Sequence, residues 1–360
     1  MARKELKWYD IFFALLGTIL SFADPITDIL TLVEFYHAGQ ATGFVLGLCF
    51  IILPCLFCLY LKWLDVRNAS LAKRIEAILF FGHPFFPALL NVGTLISYLK
   101  KLWRSKQIQR VRSETTDEEK EHLVLLKTSN FFLLFEAFFE SAPQFIIQLY
   151  VVVVQQESVT IVQIISLPVS LLSLARAAVM FDEIHHYDDT RNDEMNLKHK
   201  LLHFATHVLL LGSRLSAIAL FAASHNGFVA TILFNHFFVI FICDALWLCC
   251  RDEQDVMLRI LSNSHFYFHW LRDDTSMIIL AALAENRKRE LSKMMVFSNA
   301  LFMVENFSMI LLYLGQFSHT WYSLPVTICV CLFTVLGAIM RLTHFYFLER
   351  VSHNQVQENI

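Results

Sequence analysis

Residues 11 to 37 read IFFALLGTILSFADPITDILTLVEFYH, twenty-seven positions without a lysine or arginine. A bilayer core is roughly 30 Å thick and takes about 20 mostly apolar residues as a helix, so this run is long enough to cross. It is too long for the 7–15-residue apolar core of a cleaved signal peptide, and it carries Asp24 and Asp28, so it is read as a first membrane span. Comparable apolar runs recur along the chain, and they are continuous rather than alternating, which favours helices over a barrel.

Composition agrees. Of 360 residues 56% are hydrophobic and 17% charged, with a mean hydropathy of +0.52 and 34 phenylalanines, more apolar surface than a soluble domain can cover. The net charge is −3, and no nucleic-acid partner is expected. All eight cysteines (Cys49, Cys55, Cys58, Cys243, Cys249, Cys250, Cys329 and Cys331) lie in or beside apolar runs, as small core side chains do, and suggest neither disulfides nor zinc.

Cytosolic loops accumulate Lys and Arg, and here the cations fall on one side. Three precede the first span, four lie in 62–74, eight in 99–127, three in 182–200, seven in 250–293 and one in the tail, whereas the connections at 38–43, 155–160, 223–227 and 315–322 hold none. Both termini are therefore expected in the cytosol. The apolar stretch 75–98 has cation-rich flanks on both sides, and its centre, Gly82-His83-Pro84-Phe85-Phe86-Pro87, breaks a helix, so it is expected to turn back as a re-entrant hairpin.

The layout repeats. His37-Ala-Gly-Gln-Ala-Thr-Gly43-Phe-Val is echoed by His225-Asn-Gly227-Phe-Val, Glu140-Ser-Ala-Pro-Gln by Glu305-Asn-Phe-Ser-Met, and Ser166-Leu-Pro-Val-Ser by Ser323-Leu-Pro-Val-Thr. The fold expected is an all-α polytopic membrane protein of about eight transmembrane helices in two parallel pseudo-repeats, with one or two re-entrant or cytosolic-side hairpins. An N-terminal repeat, 1–183, would hold spans near 11–37, 44–61, 128–154 and 161–181 around the hairpin 75–98. A linker, 184–200, leads to a C-terminal repeat, 201–348, with spans near 201–222, 228–249, 294–314 and 323–347 and a cytosolic-side hairpin at 256–290. Residues 349–360 form a cytosolic tail.

Charged groups at mid-membrane cost at least about 2.5–3.5 kcal/mol each, so they normally face the protein interior and carry a role. Asp24 and Asp28, four apart, share a helix face; Glu136 and Glu140 repeat that spacing, and Glu305 and Arg214 sit mid-span. Asp24 and Arg214 each lie thirteen residues into their spans, which predicts an ion pair between them. Five deep acids against one deep cation leave an excess that must be protonated, hydrated or matched by a cation from outside. A polar track for a small cation, a proton or an amine-bearing headgroup fits it. Arg176 and Arg341 lie nearer span ends and read as snorkelling side chains. His199, His203 and His207, each four apart, read as an interfacial stripe rather than a metal site. No phosphate-binding loop, dinucleotide fingerprint, metalloprotease motif or nucleophile elbow is present, and no enzyme activity or cofactor is expected. The sequons at Asn68 and Asn306 fall in a cytosolic loop and inside a span, where neither is expected to be glycosylated.

Asp24-Pro-Ile-Thr-Asp28 in the first span and Glu140-Ser-Ala-Pro-Gln-Phe-Ile-Ile-Gln-Leu-Tyr150, set in an eight-span frame, resemble the XK-related membrane proteins over nearly the whole chain. The resemblance implies phospholipid scrambling without ATP, which in some members exposes phosphatidylserine at the plasma membrane of dying cells after caspase cleavage. It implies Asp24, Asp28, Glu136, Glu140, Arg214 and Glu305 as the headgroup path, and membrane phospholipids as partners, with a single-span membrane glycoprotein or a second copy of the chain as further ones. Caspase-triggered members carry a cleavable terminal extension, whereas residues after Leu348 hold no Asp and only Asp10 precedes the first span. The candidate cleavage positions are instead Asp255, in Asp252-Glu-Gln-Asp255, and more loosely Asp117, and both also fit solvated charged loops. Two other functions suit the same residues: transport of a small cation or solute, and a non-transporting subunit that stabilises a partner.

Overall fold

The computed structural model describes residues 8–67, 70–107, 130, 132–155, 159–189, 197–225, 288–318 and 320–358. The expected span 228–249, nearly all of the hairpin 256–290, and Asp117 and Asp255 lie outside them. The described residues are mostly helical, with α1 Trp8–His37, α2 Ala41–Val66, α3 Leu71–Phe81, α4 Phe86–Gln107, α5 132–139, α6 Ser141–Gln155, α7 Ile161–Asp189, α8 Leu197–Ser224, α9 Lys288–Phe317 and α10 Ser323–Glu358. Seven stretches are long and apolar enough to cross a membrane: α1, α2, α5 with α6, α7, α8, α9 and α10. The pair α3–α4, bent by 104° at its break, makes an eighth if it counts as one. The chain is a multi-pass membrane protein.

Two compact units divide it, residues 1–204 and 205–360. In the first, α1 packs against α2, α4 and α7, while α6 lies between α2 and α7; in the second, α9 packs on α10. The outer side of α1 presents Phe12, Leu15, Ile19, Phe22, Ile26 and Val33, all exposed, whereas its inner side buries Asp10, Gly17, Ser21, Asp24, Asp28 and Thr31. Lipid solvates the apolar side and leaves polar groups no partner but other helices, so the polar stripe turns inward.

Local chemistry sets the breaks. Gly39 adopts φ +70° between α1 and α2, a left-handed turn that glycine enters without strain. The break after α3 falls at Gly82, where a Cβ would crowd the Ile78 carbonyl oxygen at 2.5 Å, and His83 Nδ1 accepts the Phe85 amide. Two prolines within six residues prevent one straight helix there, as the sequence predicts. Several helices outrun their expected ends, α2 to Val66, α4 to Gln107 and α10 to Glu358, because polar residues prolong a helix beyond the membrane as readily as apolar ones within it.

Candidate functional site

Asp24 sits in the middle of α1 and is 1% exposed. Ser141 Oγ, at the start of α6, donates to its Oδ2 at 2.5 Å, and Ser170 Oγ, on α7, donates to Oδ1 at 2.7 Å. One turn on, Asp28 Oδ1 accepts Gln148 Nε2 at 3.3 Å and Ser166 Oγ at 3.4 Å, and Gln148 Nε2 also reaches Ser166 Oγ at 2.9 Å. Helix α6 therefore meets α1 through Ser141 and Gln148, and α7 meets it through Ser166 and Ser170.

Glu140 lies at the turn between α5 and α6, where the helical bonds continue from Glu136 O to Glu140 N (2.7 Å) and from Glu140 O to Gln144 N (3.0 Å). Glu136 and Glu140 are both buried in unit 1 with Asp24 and Asp28. Neither Glu140 carboxyl oxygen meets a donor among the described residues, nor do Asp28 Oδ2, Gln144 Oε1 or Gln148 Oε1. The orientation of Gln144 is fixed by its Nε2 bond to the Gly47 carbonyl of α2 at 2.7 Å. The result is five buried acceptor oxygens from four side chains. A hydroxyl, an ammonium or a cation satisfies such a set; an anion does not.

Arg214 and Glu305 come together in unit 2. Arg214 is fully buried, its Nη2 lies 2.6 Å from Glu305 Oε2, and its Nη1 donates to Asn306 Oδ1 at 3.0 Å, with the Phe302 ring 5.6 Å away. Asn306, the sequon residue, is thus an interior hydrogen-bond partner, and its Nδ2 approaches Thr334 Oγ1 of α10 at 3.4 Å. Within its own unit Asp24 is bonded by serines and Arg214 by a carboxylate. Equal depth places two groups on one level without choosing the helix each faces.

Three further polar groups escape a reading of the sequence. Arg176 does not snorkel: it is 3% exposed, and its Nη2 donates to Asn91 Oδ1 of α4 at 2.7 Å. Arg341 is likewise buried and bonds Asn299 Oδ1 at 3.0 Å. Lys200 Nζ lies 2.6 Å from Asp10 Oδ1 and 2.7 Å from Glu183 Oε1, over the Tyr9 ring at 5.1 Å. Of the histidine stripe, His203 and His207 are both buried, and His203 Nε2 lies 2.7 Å from Asp182 Oδ2. Cys55 and Cys58 are buried as expected, whereas Cys49 and Cys329 face outward. The serine spacing 166, 170, 173 on α7 and the Glu140, Gln144, Gln148 spacing on α6 were the available signals, since each is a polar stripe at helical period.

The family described as XK-related protein matches residues 12–350. Among curated relatives, XK-related protein 8 of Tetraodon nigroviridis is 24% identical over 227 residues, 62% of this chain and 56% of the relative. Cell death abnormality protein 8 of Caenorhabditis briggsae is 22% identical over 300 residues, 73% of this chain and 64% of the relative. XK-related protein 8 of Gasterosteus aculeatus is 23% identical over 255 residues, 68% and 60% of the two chains. This chain thus spans less than two thirds of the length of the relatives it matches. A match that runs from within α1 into α10 takes in both the acid-bearing stripe and the Arg214–Glu305 pair, and the chain belongs to the XK-related family.

Proposed function

We propose that this chain moves phospholipids between membrane leaflets without ATP, exposing phosphatidylserine at the surface of dying cells. The observation that carries the reading is the row of buried acceptor oxygens on Asp28, Glu140, Gln144 and Gln148, beside Asp24 and Glu136. Such a row lowers the barrier for an ammonium-bearing headgroup in hydrocarbon by replacing part of its hydration. Arg214 with Glu305 forms the balanced part of the same set of charges. Family membership supports the reading, as does a relative's name that refers to cell death.

With the positive charges on one side, both termini and the flanks of the α3–α4 pair lie in the cytosol, the pair re-enters the membrane, and the chain resides in the plasma membrane as two parallel repeats. The test is fluorescent-lipid scrambling in proteoliposomes with the intact chain and with an Asp24→Asn, Glu140→Gln variant, each with and without caspase. The reading expects lipid movement that the variant loses. Ion flux without lipid movement selects a small-cation transporter, for which the same oxygens serve as ligands, and no movement from folded protein selects a subunit that stabilises a partner.

A further inference from the structure

Arg176 is a buried guanidinium with no counter-ion among the described residues. Its hydrogen bond is to a neutral amide, Asn91 Oδ1, and its Nε is buried without an acceptor. Lys200 and Arg214, by contrast, each hold a carboxylate within 2.7 Å. An unbalanced buried charge is costly, and this one is held rather than released: Gly17 of α1 leaves the space that the guanidinium fills, and a Cβ there would overlap it. Asn91 is itself fixed, donating Nδ2 to Ser21 Oγ at 2.6 Å and to the Pro87 carbonyl at 3.2 Å. Three helices, α1, α4 and α7, thus hold a cation in place and leave its Nε without an acceptor among the described residues.

A guanidinium N–H suits a phosphate oxygen and offers nothing to an amine, which is itself a donor. We infer that Arg176, positioned by Gly17 and Asn91, is a phosphate-binding station that complements the amine-binding oxygens at Asp28 and Glu140. The inference rests on the lipid-track reading and supplies the partner for the one group of a phospholipid headgroup that the carboxylates repel. Gly17 and Asp28 are eleven residues apart on α1, about 16 Å along its axis, so phosphate and amine meet their partners at different depths.

A binding measurement that needs no lipid movement tests it. Purified intact chain in detergent is titrated with a short-chain phosphatidylcholine, with a betaine lipid of equal chain length that lacks phosphate, and with inorganic phosphate, and the shift in thermal unfolding is read. The parent protein is expected to bind the phosphate-bearing lipid at least about tenfold more tightly than the betaine lipid, and Arg176→Gln and Gly17→Ala to erase that preference. Tighter binding of the lipid than of inorganic phosphate assigns the station to headgroups, and the reverse order assigns it to a free anion. Equal binding of the two lipids by the parent protein overturns the inference whether or not the variants fold. So does a folded Arg176→Gln chain that keeps the preference, which would leave Arg176 only a structural tie. A parent protein that prefers phosphate through Arg176 yet scrambles nothing keeps the station and removes the transport reading.

Discussion

Ser170 of α7 donates to Asp24 of α1 at 2.7 Å, and the bond is one rung of an antiparallel seam. Position on α1 rises as position on α7 falls, in near-equal steps: Gly17 faces Arg176, Asp24 faces Ser170, Asp28 faces Ser166, and Glu34 accepts Thr160 Oγ1, just ahead of α7, at 2.7 Å. At the other end Lys200 joins Asp10 to Glu183. A polar seam thus follows the two helices almost from end to end.

Glu140 separates stability from function. Its carboxyl is buried with no donor among the described residues, so Glu140→Gln removes a desolvation penalty and adds two amide protons beside unfilled acceptors. We expect the variant to be more stable by about 1–3 kcal/mol while scrambling more slowly, measured by thermal unfolding and lipid flux on one preparation. A variant that is both less stable and slower would mean the carboxylate is a structural element.

Gly17 and Gly93 make a matched pair. A Cβ at Gly17 overlaps the Arg176 guanidinium, whereas one at Gly93 meets nothing within 4 Å. Gly17→Ala is expected to cost about 1–3 kcal/mol and Gly93→Ala to be nearly neutral. Removing the Arg176 side chain in the Gly17→Ala background should recover part of the loss, so a double-mutant cycle with no coupling counts against the packing described.

Arg214 and Glu305 form an ion pair among the described residues of unit 2. Arg214→Ala alone takes the guanidinium from a partly exposed carboxylate and is expected to destabilise by about 2–3 kcal/mol, whereas Arg214→Met with Glu305→Gln should regain much of that. Equal unfolding temperatures for the single and double variants would mean that Glu305 takes its partner elsewhere.

Single cysteines at Ser70 and Ser105 test the α3–α4 pair. A re-entrant hairpin places both on the cytosolic side, shielded from an impermeant maleimide on intact cells, while a cysteine at Ala38, in the loop after α1, is labelled. Labelling at only one of Ser70 and Ser105 would make the bent pair a true crossing.

The sequence makes much of this legible and hides a definite part. The depth of Asp24, Asp28 and Glu140 follows from counting along a span, and their shared faces from the spacing of four. Their partners do not, because adjacency between helices is a property of packing: nothing in the spacing of α1 announces that serines of α6 and α7 bond Asp24. Arg176 is the clearest case. It lies near a span's end, where a lone helix would let it reach water, but α4, brought alongside by the bend at Gly82, supplies Asn91. The break at Gly82-His83-Pro84 is local chemistry and could be read in advance, whereas the side chain it delivers to α7 could not.

The notch at Gly17 also carries a historical consequence. Because the guanidinium occupies the volume a side chain at 17 would need, a larger residue there is acceptable only with a shorter one at 176. These two positions, far apart in the chain, are expected to change together across the family, and members that keep a glycine at the first are expected to keep an arginine at the second.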